Sequence, residues 1–421
     1  MKILVLGYGV EGKAVEKYFK SQSAEVTVLD NFSADELKSF DYKPYDLVFR
    51  SPSVHPVKRP SKKFTSVTKY FFSHCPCPII GTTGTKGKGT TCSMIAAILR
   101  EFSASGTGPR KVHLVGNIGV PALEILDQVA PEDVVVYEMS SFQLWDLTQS
   151  PHVAVVLRIE PDHLNVHDDF DDYVSAKSHI TEYQTPDDFC IYYENNADSR
   201  RVAEKGMGTK YPYPSSISHF IENVKLSIPG EHNRENATAA VLATCAYFGK
   251  SPDDFLSDAS ATKTVHAALE NFQGLPHRCQ YLRTLNHVNY YDDNYSSAFP
   301  ATDVALAAFS AHPLVLIAGG MDKGVPLDEL KHRIFSTKNL KKVILIGETA
   351  ERLAEKEDPT KYLITETLAQ AVATAQEVAE HYATADAPAT VLMSPGCASF
   401  DMFKNFADRG AQYQTLVREL Q

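Results

Sequence analysis

The sequence predicts an α/β protein of three domains: a Rossmann-like N-terminal domain, a central P-loop domain with a parallel sheet, and a Rossmann-like C-terminal domain. Three observations lead to this prediction. Apolar runs typical of buried strands alternate with segments of helical spacing. Glycine-rich turns follow such strands at residues 7–12 and 81–91. In the last third of the chain, the strands again end in glycine-containing turns. We expect the domains to span residues 1–78, 79–277 and 278–421.

Size and composition fit a globular protein of several domains and exclude some functions. The 421 residues suggest about two to four domains, and 43% apolar with 22% charged residues is typical of soluble proteins. A net charge of −11 argues against broad binding to nucleic acid or to anionic membranes. No apolar run is long enough to span a bilayer or to form a signal peptide. The seven cysteines are mostly scattered, and Cys75-Pro76-Cys77 lacks a second pair for a zinc site, so we expect buried thiols in the cytoplasm.

The N-terminal domain begins with a strand, a glycine turn, a helix and a second strand. The turn Gly7–Gly12, with Asp30 about 20 positions on, matches the dinucleotide-binding fingerprint. A nicotinamide dehydrogenase is therefore one alternative, although a Rossmann-like module can hold any nucleotide diphosphate. Glu11 would be a poor neighbour for a pyrophosphate unless it points away. One more strand, Asp46–Phe49, precedes a proline-rich exit that runs to residue 60.

The central domain is built around the glycine-rich stretch Gly81–Thr91, which joins a short apolar strand to a segment with helical spacing. Glycines allow backbone N–H groups to converge on phosphate oxygens, and a helix N-terminus adds positive potential. Lys88 would contact the terminal phosphates, and the hydroxyl of Thr90 or Thr91 would hold Mg²⁺. A glycine-rich surface turn is the alternative. We predict a P-loop ATPase site formed by Gly84, Thr85, Lys86, Gly87, Lys88, Gly89, Thr90 and Thr91.

Two polar side chains follow other strands of the central domain. Glu138 ends the strand Val134–Tyr137, and His163 comes shortly after the run Val153–Leu157. Ligands of parallel sheets gather at the carboxyl ends of the strands, where both side chains can face phosphate-bound Mg²⁺. Either of them alone would usually be a solvated loop residue. Lys177, on a predicted helix, would by itself be a surface lysine.

Later segments add further candidates. Asn233 and Asn236 lie three apart on a predicted helix, so they share a face that could contact adenine; N-terminal capping is the alternative. The C-terminal domain predicts strands at residues 314–318, 343–346 and 390–393. The turns after the first and the last of these should therefore fall on the same edge of one sheet.

The motifs along residues 7–410 resemble the Mur ligases of peptidoglycan synthesis, within a wider group that includes folylpolyglutamate synthetases. The most specific motifs are Gly116–Gly119, Glu138–Leu144, Asp162-His163 and Ser399–Phe406 with Arg409-Gly410. The second and the last are typical of the members that add D-glutamate. The resemblance implies one domain each for a UDP substrate, ATP and an amino acid. It implies a cytoplasmic, ATP-dependent ligase that joins UDP-N-acetylmuramoyl-L-alanine to D-glutamate through an acyl phosphate.

The resemblance also implies a role for each candidate residue. The catalytic group would be Lys88, Glu138, His163 and Lys177. Two Mg²⁺ ions would be held by Thr90, Glu138, His163 and Lys177, the last as a carbamylated lysine. Further ATP contacts would come from Asn233, Asn236, Arg278 and Asp293. The substrates would be bound by Gly9, Asn31, Ser51, Asn117, Ser140, Lys323, Ser399 and Phe406, of which the last three would hold glutamate. We expect a monomer that needs neither nucleic acid nor a membrane.

Several positions depart from the family pattern. Gly89 lies inside the phosphate loop, as in the folate enzymes, and Tyr295 stands where a lysine is usual. In the N-terminal domain, Glu11 replaces a usual threonine and Ser53 a usual glycine. Another Mur ligase or a folylpolyglutamate synthetase-like ligase therefore remains the alternative enzyme. A non-catalytic nucleotide-binding module would leave Glu138, His163 and Lys177 without a joint purpose.

Overall fold

The computed structural model describes residues 1–55 and 63–421, and its strands form three sheets. The chain divides into two compact units. The first contains Met1–Lys225 and Arg234–Glu270, with two of the sheets, and the second contains Leu226–Asn233 and Asn271–Gln421, with the third. The predicted proline-rich exit of the first domain runs into residues 56–62 and so lies partly outside the described residues. No helix in the described part of the chain is long and apolar enough to cross a membrane.

The first sheet confirms the Rossmann-like prediction. Its four strands are parallel in the order β2-β1-β3-β4, with β1 in contact with both β2 and β3. The strands are β1 Lys2–Leu6, β2 Glu25–Leu29, β3 Leu47–Arg50 and β4 Phe64–Ser66, of which β4 was not predicted. The helices are α1 Val10–Ser21, α2 Ala34–Ser39 and α3 Val67–His74.

The second sheet has six parallel strands in the order β10-β9-β8-β5-β7-β6. They are β5 Ile79–Thr83, β6 Val112–Gly116, β7 Val134–Glu138, β8 Val153–Val156, β9 Phe189–Tyr193 and β10 Thr209–Tyr213. The helices are α4 Lys88–Ala104, α5 Ser141–Leu144, α6 Phe170–Glu182, α7 Ala197–Ala203, α8 Ser218–Glu222, α9 Glu231–Tyr247, α10 Pro252–Ser257 and α11 Ala259–Glu270. Strand order reverses at β5, which is where open α/β sheets bind their ligands.

The third sheet has the order β11-β12-β16-β13-β14-β15, and only β11 is antiparallel to its neighbour. Its strands are β11 Gln280–Leu285, β12 Val288–Asp292, β13 Leu314–Gly319, β14 Leu340–Ile346, β15 Tyr362–Ile364 and β16 Ala389–Met393. The helices are α12 Phe299–Ala308, α13 Asp328–Ser336, α14 Ala350–Ala354, α15 Leu368–Tyr382 and α16 Phe406–Glu419. A bridge between Met321 and Ala398 confirms that the turns after β13 and β16 lie side by side.

The central strands of the second sheet are buried along their whole length. Every residue of Val134–Tyr137 and of Val153–Val156 is fully inaccessible to solvent. Parallel strands that are covered on both faces have this continuous apolar pattern, and each buried valine stabilises the fold by about 1.5–3 kcal/mol. The sheet therefore holds the residues at its strand ends, Glu138 among them, on a rigid support.

The predicted limits at residues 78 and 277 remain predictions. Each predicted domain contains one sheet, whereas the division by compactness keeps the first two sheets in a single unit. The connection between α3, which ends at His74, and β5, which begins at Ile79, is short.

Candidate active site

The phosphate loop has the strand, turn and helix that the sequence predicts. Gly84 has φ of 144°, and Gly87, at the N-cap of α4, has φ of 87°, both in a region that favours glycine. A Cβ on Gly84 would lie 2.7 Å from the Leu157 side chain, and one on Gly87 would lie 2.6 Å from Asn236 Oδ1. Both glycines are therefore required for this turn, which directs the N-terminus of α4 at whatever it encloses.

Lys88, the first residue of α4, folds back over the loop. Its Nζ donates hydrogen bonds to the carbonyl oxygens of Gly84 and Thr85, each at 3.0 Å. Thr85 is fixed in turn by Glu160, because its hydroxyl donates to the Glu160 carbonyl at 2.9 Å and accepts from the Glu160 N–H at 2.8 Å. The ammonium group is thus held at the mouth of the turn, where a phosphate would lie.

Lys177 lies beside the same turn, and the interpretation of a surface lysine is wrong. Its side chain is 1% exposed, and Nζ donates to the Gly84 carbonyl at 3.0 Å, the same oxygen that Lys88 contacts. The Tyr173 ring centroid lies 4.5 Å from Nζ. Burial, and next the charge of Lys88, lower the pKa of the Lys177 amine well below its ordinary value, against a smaller effect of Asp162. The site therefore favours a neutral amine.

Glu138 and Asn117 meet at the ends of two neighbouring strands. The register pairs Gly116 of β6 with Glu138 of β7. Gly116 has φ of 105°, and a Cβ at this position would lie 2.2 Å from the Glu138 carbonyl oxygen. Asn117 follows, and its Nδ2 donates to Glu138 Oε1 at 3.1 Å. Because Glu138 also pairs with Thr82 of β5, its carboxylate is one strand away from the phosphate loop. The predicted strand-end position of Glu138 is confirmed.

His163 is more loosely attached to this cluster. It lies in a turn with φ of 55°, its side chain is 48% exposed, and Nε2 is 3.7 Å from Asp162 Oδ2. The rings of His163 and Tyr173 have centroids 6.5 Å apart, so Tyr173 contacts both predicted ligands, His163 and Lys177. Among residues 1–55 and 63–421, no three His, Cys, Asp or Glu side chains converge as a ready metal cage.

The turn that carries His163 is tied down by a residue that the sequence did not single out. His167 is buried, with Nδ1 2.7 Å from Asp172 Oδ2 and Nε2 3.0 Å from Ser141 Oγ. Its ring stacks on Phe142 with centroids 5.4 Å apart. His167 therefore joins the turn to α5 and to the first turn of α6, the helix of Lys177.

Tyr173 is a second residue that sequence reasoning missed. Its hydroxyl is 3.1 Å from Thr85 Oγ1 of the phosphate loop, and burial raises its pKa to about 12. It lies four residues before Lys177, so the two share one face of α6. That spacing was the available signal.

The hydroxyls of the two threonines after the loop differ in their surroundings. Thr91 is fully buried, and its Oγ1 is 3.3 Å from Asn236 Oδ1, whereas Thr90 is partly exposed in the first turn of α4. This favours Thr90 as the metal ligand.

The two asparagines predicted to contact adenine lie near the start of α9. Asn233 and Asn236 are its third and sixth residues, so N-terminal capping does not explain Asn236. Asn233 Nδ2 donates to the Pro229 carbonyl at 2.6 Å.

The predicted UDP-site residues surround the first glycine turn. Gly9 is the N-cap of α1, Ser51 Oγ donates to the Gly7 carbonyl at 2.7 Å, and Asn31 lies exposed after β2 with φ of 54°. Glu11 turns towards the second sheet, because its Oε1 accepts a hydrogen bond from Gln143 Nε2 at 2.7 Å. Ser140 caps α5 by a reciprocal pair of hydrogen bonds with Gln143.

In the second unit, the predicted nucleotide contacts have opposite surroundings. Asp293 is buried, and its carboxylate accepts from the Cys279 N–H at 3.1 Å and from the hydroxyls of Ser296 and Ser394. Burial raises its pKa to about 6. Arg278 is exposed, and its guanidinium lies 3.7 Å from the ring centroid of Tyr295, the residue that replaces the usual lysine.

The predicted glutamate residues all belong to the second unit. Lys323 is exposed in the turn after β13, Ser399 is buried after β16, and Phe406 is partly exposed at the start of α16. Arg409 is fully buried and holds the turn before Ser399, since its guanidinium donates to the carbonyls of Cys397 and Ala398. Burial lowers the pKa of Arg409 to about 10.

The structure thus brings some predicted residues together and leaves others apart. Lys88 and Lys177 meet at Gly84, Glu138 meets Asn117, and Thr91 meets Asn236. Within the described residues, a ring contact with Tyr173 links His163 to this group. The arrangement can bind phosphate, place a buried amine beside it, and present a strand-end carboxylate to a cation.

Comparison with known proteins identifies the family. The family model for the Mur ligase middle domain matches residues 82–213. The UDP-N-acetylmuramoylalanine–D-glutamate ligase of Clostridium kluyveri is 30% identical, over 100% of this chain and 97% of the relative. The enzyme of that name from Streptococcus thermophilus is 33% identical over the same shares. In fold, the chain is similar to folylpolyglutamate synthase of Mycobacterium tuberculosis complexed with ADP, with TM-score 0.55 and 15% identity, over 84% of this chain and 94% of that one.

These findings decide between the open alternatives. The likeness to the folate enzyme reaches the fold alone, whereas the D-glutamate ligases match from end to end. The dehydrogenase alternative is wrong, since the first glycine turn belongs to a ligase. The chain belongs to the Mur ligase family, within the group of the UDP-N-acetylmuramoylalanine–D-glutamate ligases.

Proposed function

We propose that this chain is an ATP-dependent ligase of peptidoglycan precursor synthesis. It forms an amide bond between the alanyl carboxyl group of UDP-N-acetylmuramoyl-L-alanine and the amine of D-glutamate. The observation that carries the proposal is the meeting of Lys88 and the buried Lys177 on one carbonyl of the phosphate loop. The substrates are inferred from the D-glutamate ligases that match along the whole chain.

The reaction has two steps. The alanyl carboxylate attacks the γ-phosphorus of ATP, the bond to the bridging oxygen breaks, and ADP leaves behind an acyl phosphate. The amine of glutamate then attacks the acyl carbon, and the tetrahedral intermediate loses inorganic phosphate and a proton to give the amide. Both steps depend on charge neutralisation and on positioning.

The phosphate loop supplies the first of these needs. The N–H groups at the start of α4 and the Lys88 ammonium face the phosphates, where they stabilise charge that moves during transfer. The hydrogen bonds of Lys88 to the Gly84 and Thr85 carbonyls would be exchanged for phosphate oxygens. Asn117 would orient the sugar-peptide substrate from the adjacent strand end, while it remains in reach of Glu138.

Lys177 acts as a carbamate. The neutral amine attacks the carbon of CO₂, a C–N bond forms, and one proton is released, which leaves an anion on the side chain. The carbamate anion would be attracted to the Lys88 ammonium at the Gly84 carbonyl, whereas a Lys177 ammonium would be repelled by it. This change fits the burial of Lys177, since an ammonium ion is unfavourable there.

The donor set fits two Mg²⁺ ions that are shared with ATP. Thr90, Glu138, His163 and the Lys177 carbamate would hold them. Since these donors form no closed cage among the described residues, most ligands would be phosphate oxygens and water, as Mg²⁺ prefers. When bound, Mg²⁺ would neutralise phosphate charge.

The second unit would bind glutamate. The exposed Lys323 ammonium and the Ser399 hydroxyl suit its side-chain carboxylate, and Phe406 would pack against its aliphatic part. Arg409 is a positioning residue, because it fixes the backbone just before Ser399. The enzyme would act as a monomer in the cytoplasm, without a membrane or nucleic acid.

The test is phosphate release with UDP-N-acetylmuramoyl-L-alanine and each enantiomer of glutamate. We expect release that requires both the UDP substrate and D-glutamate, with L-glutamate inactive. Omission of either substrate is the control. Phosphate release that requires a folate acceptor instead would move the chain to the folylpolyglutamate synthetases. If no phosphate is released with either the UDP substrate or the folate, the chain is not a ligase of this kind.

A further inference from the structure

Two thiols approach each other where the chain passes from the first sheet to the second. Cys75 is the C-cap of α3, and Cys77 lies two residues before β5. Their sulfur atoms are 3.7 Å apart, and the Cys75 thiol is also 3.7 Å from the Cys77 carbonyl oxygen. All seven cysteines have free thiols, but this is the pair whose sulfurs contact each other in the described residues.

The backbone holds this pair in place. Cys75 has φ of −69° and ψ of 122°, the extended conformation favoured before proline, and Pro76 fixes its own φ. The Cys75 N–H donates to the Phe71 carbonyl at 2.8 Å, and the Pro78 carbonyl accepts from the Val135 N–H at 3.1 Å. The segment is therefore anchored on both sides, so the approach of the two sulfurs is built into the fold.

The two thiols differ in access and acidity. Cys75 is half-buried, whereas Cys77 is 8% exposed and packs in the core. The hydrogen bond between them lowers the pKa of Cys75, because its thiolate can accept from the Cys77 thiol, and it raises the pKa of Cys77. Cys75 is thus the thiol that can react first with a reagent from solution.

We propose that Cys75 and Cys77 form a reversible redox site, with Cys75 as the attacking thiol and Cys77 as the resolving thiol. The oxidant is a small-molecule disulfide, RSSR. The Cys75 thiolate attacks one sulfur, a mixed disulfide forms, and RSH leaves. The Cys77 thiolate then attacks Cys75 Sγ, the Cys75–Cys77 bond forms, and a second RSH leaves. The pair loses two electrons and two protons, which reduce RSSR to two RSH.

The bond would be labile. The sulfurs must close from 3.7 Å to a bond length of about 2.05 Å within a segment of three residues. A small ring of this kind is strained, and strained disulfides are readily reduced. In a reducing compartment such a bond is transient, which is typical of a redox sensor and not of a structural disulfide.

Trypsin offers a direct test, because cleavage after Lys69 and Lys86 releases one peptide, residues 70–86, that contains these two cysteines and no other. The full chain is equilibrated with a fixed ratio of oxidised to reduced glutathione, quenched with acid, alkylated and digested. We expect to find this peptide without alkyl groups and with a mass two hydrogen atoms below that of the dithiol form. Treatment with dithiothreitol before alkylation should restore the dithiol. The ratio of disulfide to dithiol should be about tenfold higher than in the synthetic peptide 70–86 under the same conditions.

Two variants separate the roles of the thiols. Cys77→Ser should trap glutathione on residue 75, and Cys75→Ser should leave Cys77 unmodified. Cys279, also half-buried, is the internal control and should be alkylated throughout. A stable glutathione adduct on wild-type Cys75, a fully alkylated peptide, or equal ratios in protein and synthetic peptide would each overturn the proposal. The test does not depend on the proposed ligase activity.

Discussion

At the scale of single residues, burial decides what Lys177 can do. Its Nζ has exchanged water for the Gly84 carbonyl and the Tyr173 ring, and a second lysine contacts the same carbonyl. If the carbamate is required, Lys177→Ala should lose roughly a hundredfold or more in turnover while it remains folded. A short carboxylic acid in the buffer should restore part of the activity by taking the place of the carbamate. Phosphate release and circular dichroism are the measurements.

Lys210 offers a matched control for Lys177. Its ammonium also donates to two backbone carbonyls, those of Gly206 and Gly208, but far along the sheet from the phosphate loop. Lys210→Ala should keep near-normal turnover and should not respond to the added acid. Full activity of Lys177→Ala, or equal losses in the two variants, would contradict the role proposed for Lys177.

The sequence could predict which residues matter here better than it could predict their surroundings. Lys177 was assigned through resemblance, and only the fold shows that it is buried, since the nearby Ser175, Ser178 and His179 give α6 no apolar signal around it. Tyr173 and His167 were missed because their roles depend on contacts with Thr85, Ser141 and Asp172, which no local pattern records.

Glu11 should make stability depend on pH. Burial raises the pKa of its carboxyl from 4.5 to about 7, against the Gln143 hydrogen bond and the charge of Arg50, and with a small contribution from Asp146. Between these two values the folded chain binds a proton that the unfolded chain has lost. Stability therefore falls as pH rises from about 4.5 to 7, by on the order of 2 kcal/mol, after allowance for partial exposure of the side chain.

The measurement for Glu11 is urea unfolding at both ends of this interval. Glu11→Gln carries no charge, so wild type should lose stability relative to this variant as pH rises. Glu25→Gln, at the exposed start of β2, should follow wild type. If the free energy of unfolding changes equally with pH in wild type and Glu11→Gln, the folded chain ionises this carboxyl at no cost, and the prediction is wrong.

At the scale of elements, the strand, turn and helix of the phosphate loop were predicted because each has a strong local signal. The apolar run, the glycines and the helical spacing all lie within about 25 residues. Strands β4, β6, β9, β10, β11, β12 and β15 were not predicted. Most of them contain Tyr, Thr or charged residues and are in part half-buried or exposed, and β15 has only three residues, so their apolar pattern is weak.

His167 should act as a joint between elements. His167→Ala removes contacts to Ser141 of α5 and to Asp172 of α6, and it leaves a void beside Phe142. We expect a loss of about 2 kcal/mol in the free energy of unfolding. We also expect a raised Mg²⁺ concentration for half-maximal turnover, because the turn that carries His163 loses its support.

His219→Ala is the control for His167, since that side chain is fully exposed and its carboxylate neighbour, Glu222, is also at the surface. It should change neither stability nor the Mg²⁺ requirement. His167→Asn, which keeps a donor and an acceptor, should recover part of the Mg²⁺ response. A His167→Ala variant that is destabilised but has an unchanged Mg²⁺ requirement would limit His167 to a structural role.

At the scale of the whole molecule, the sequence predicted three sheets but not that the first two form one compact unit. The contacts that join them link residues about a hundred positions apart, which no local pattern contains. The buried Arg50 donates from Nε to Asp146 Oδ2 at 3.0 Å and from a terminal nitrogen to the Phe142 carbonyl at 2.9 Å. Ser66 and Thr68 add hydrogen bonds to Asp146 and Tyr137.

The ion pair of Arg50 and Asp146 should therefore be the strongest single link between the two sheets. Asp146→Asn leaves the guanidinium buried without its counter-charge, which should destabilise the unit by about 3 kcal/mol. Trp145, the only tryptophan, precedes Asp146 and reports on this junction by fluorescence. The midpoint of urea unfolding, followed by this fluorescence, should be lower for Asp146→Asn than for wild type.

Asp127→Asn is the control for Asp146→Asn. Asp127 accepts an exposed hydrogen bond of 3.3 Å from Tyr18 of α1, so its replacement should change the free energy of unfolding by less than about 0.5 kcal/mol. Equal changes in the urea midpoint of the two variants would mean that the junction depends on buried surface area and not on this ion pair.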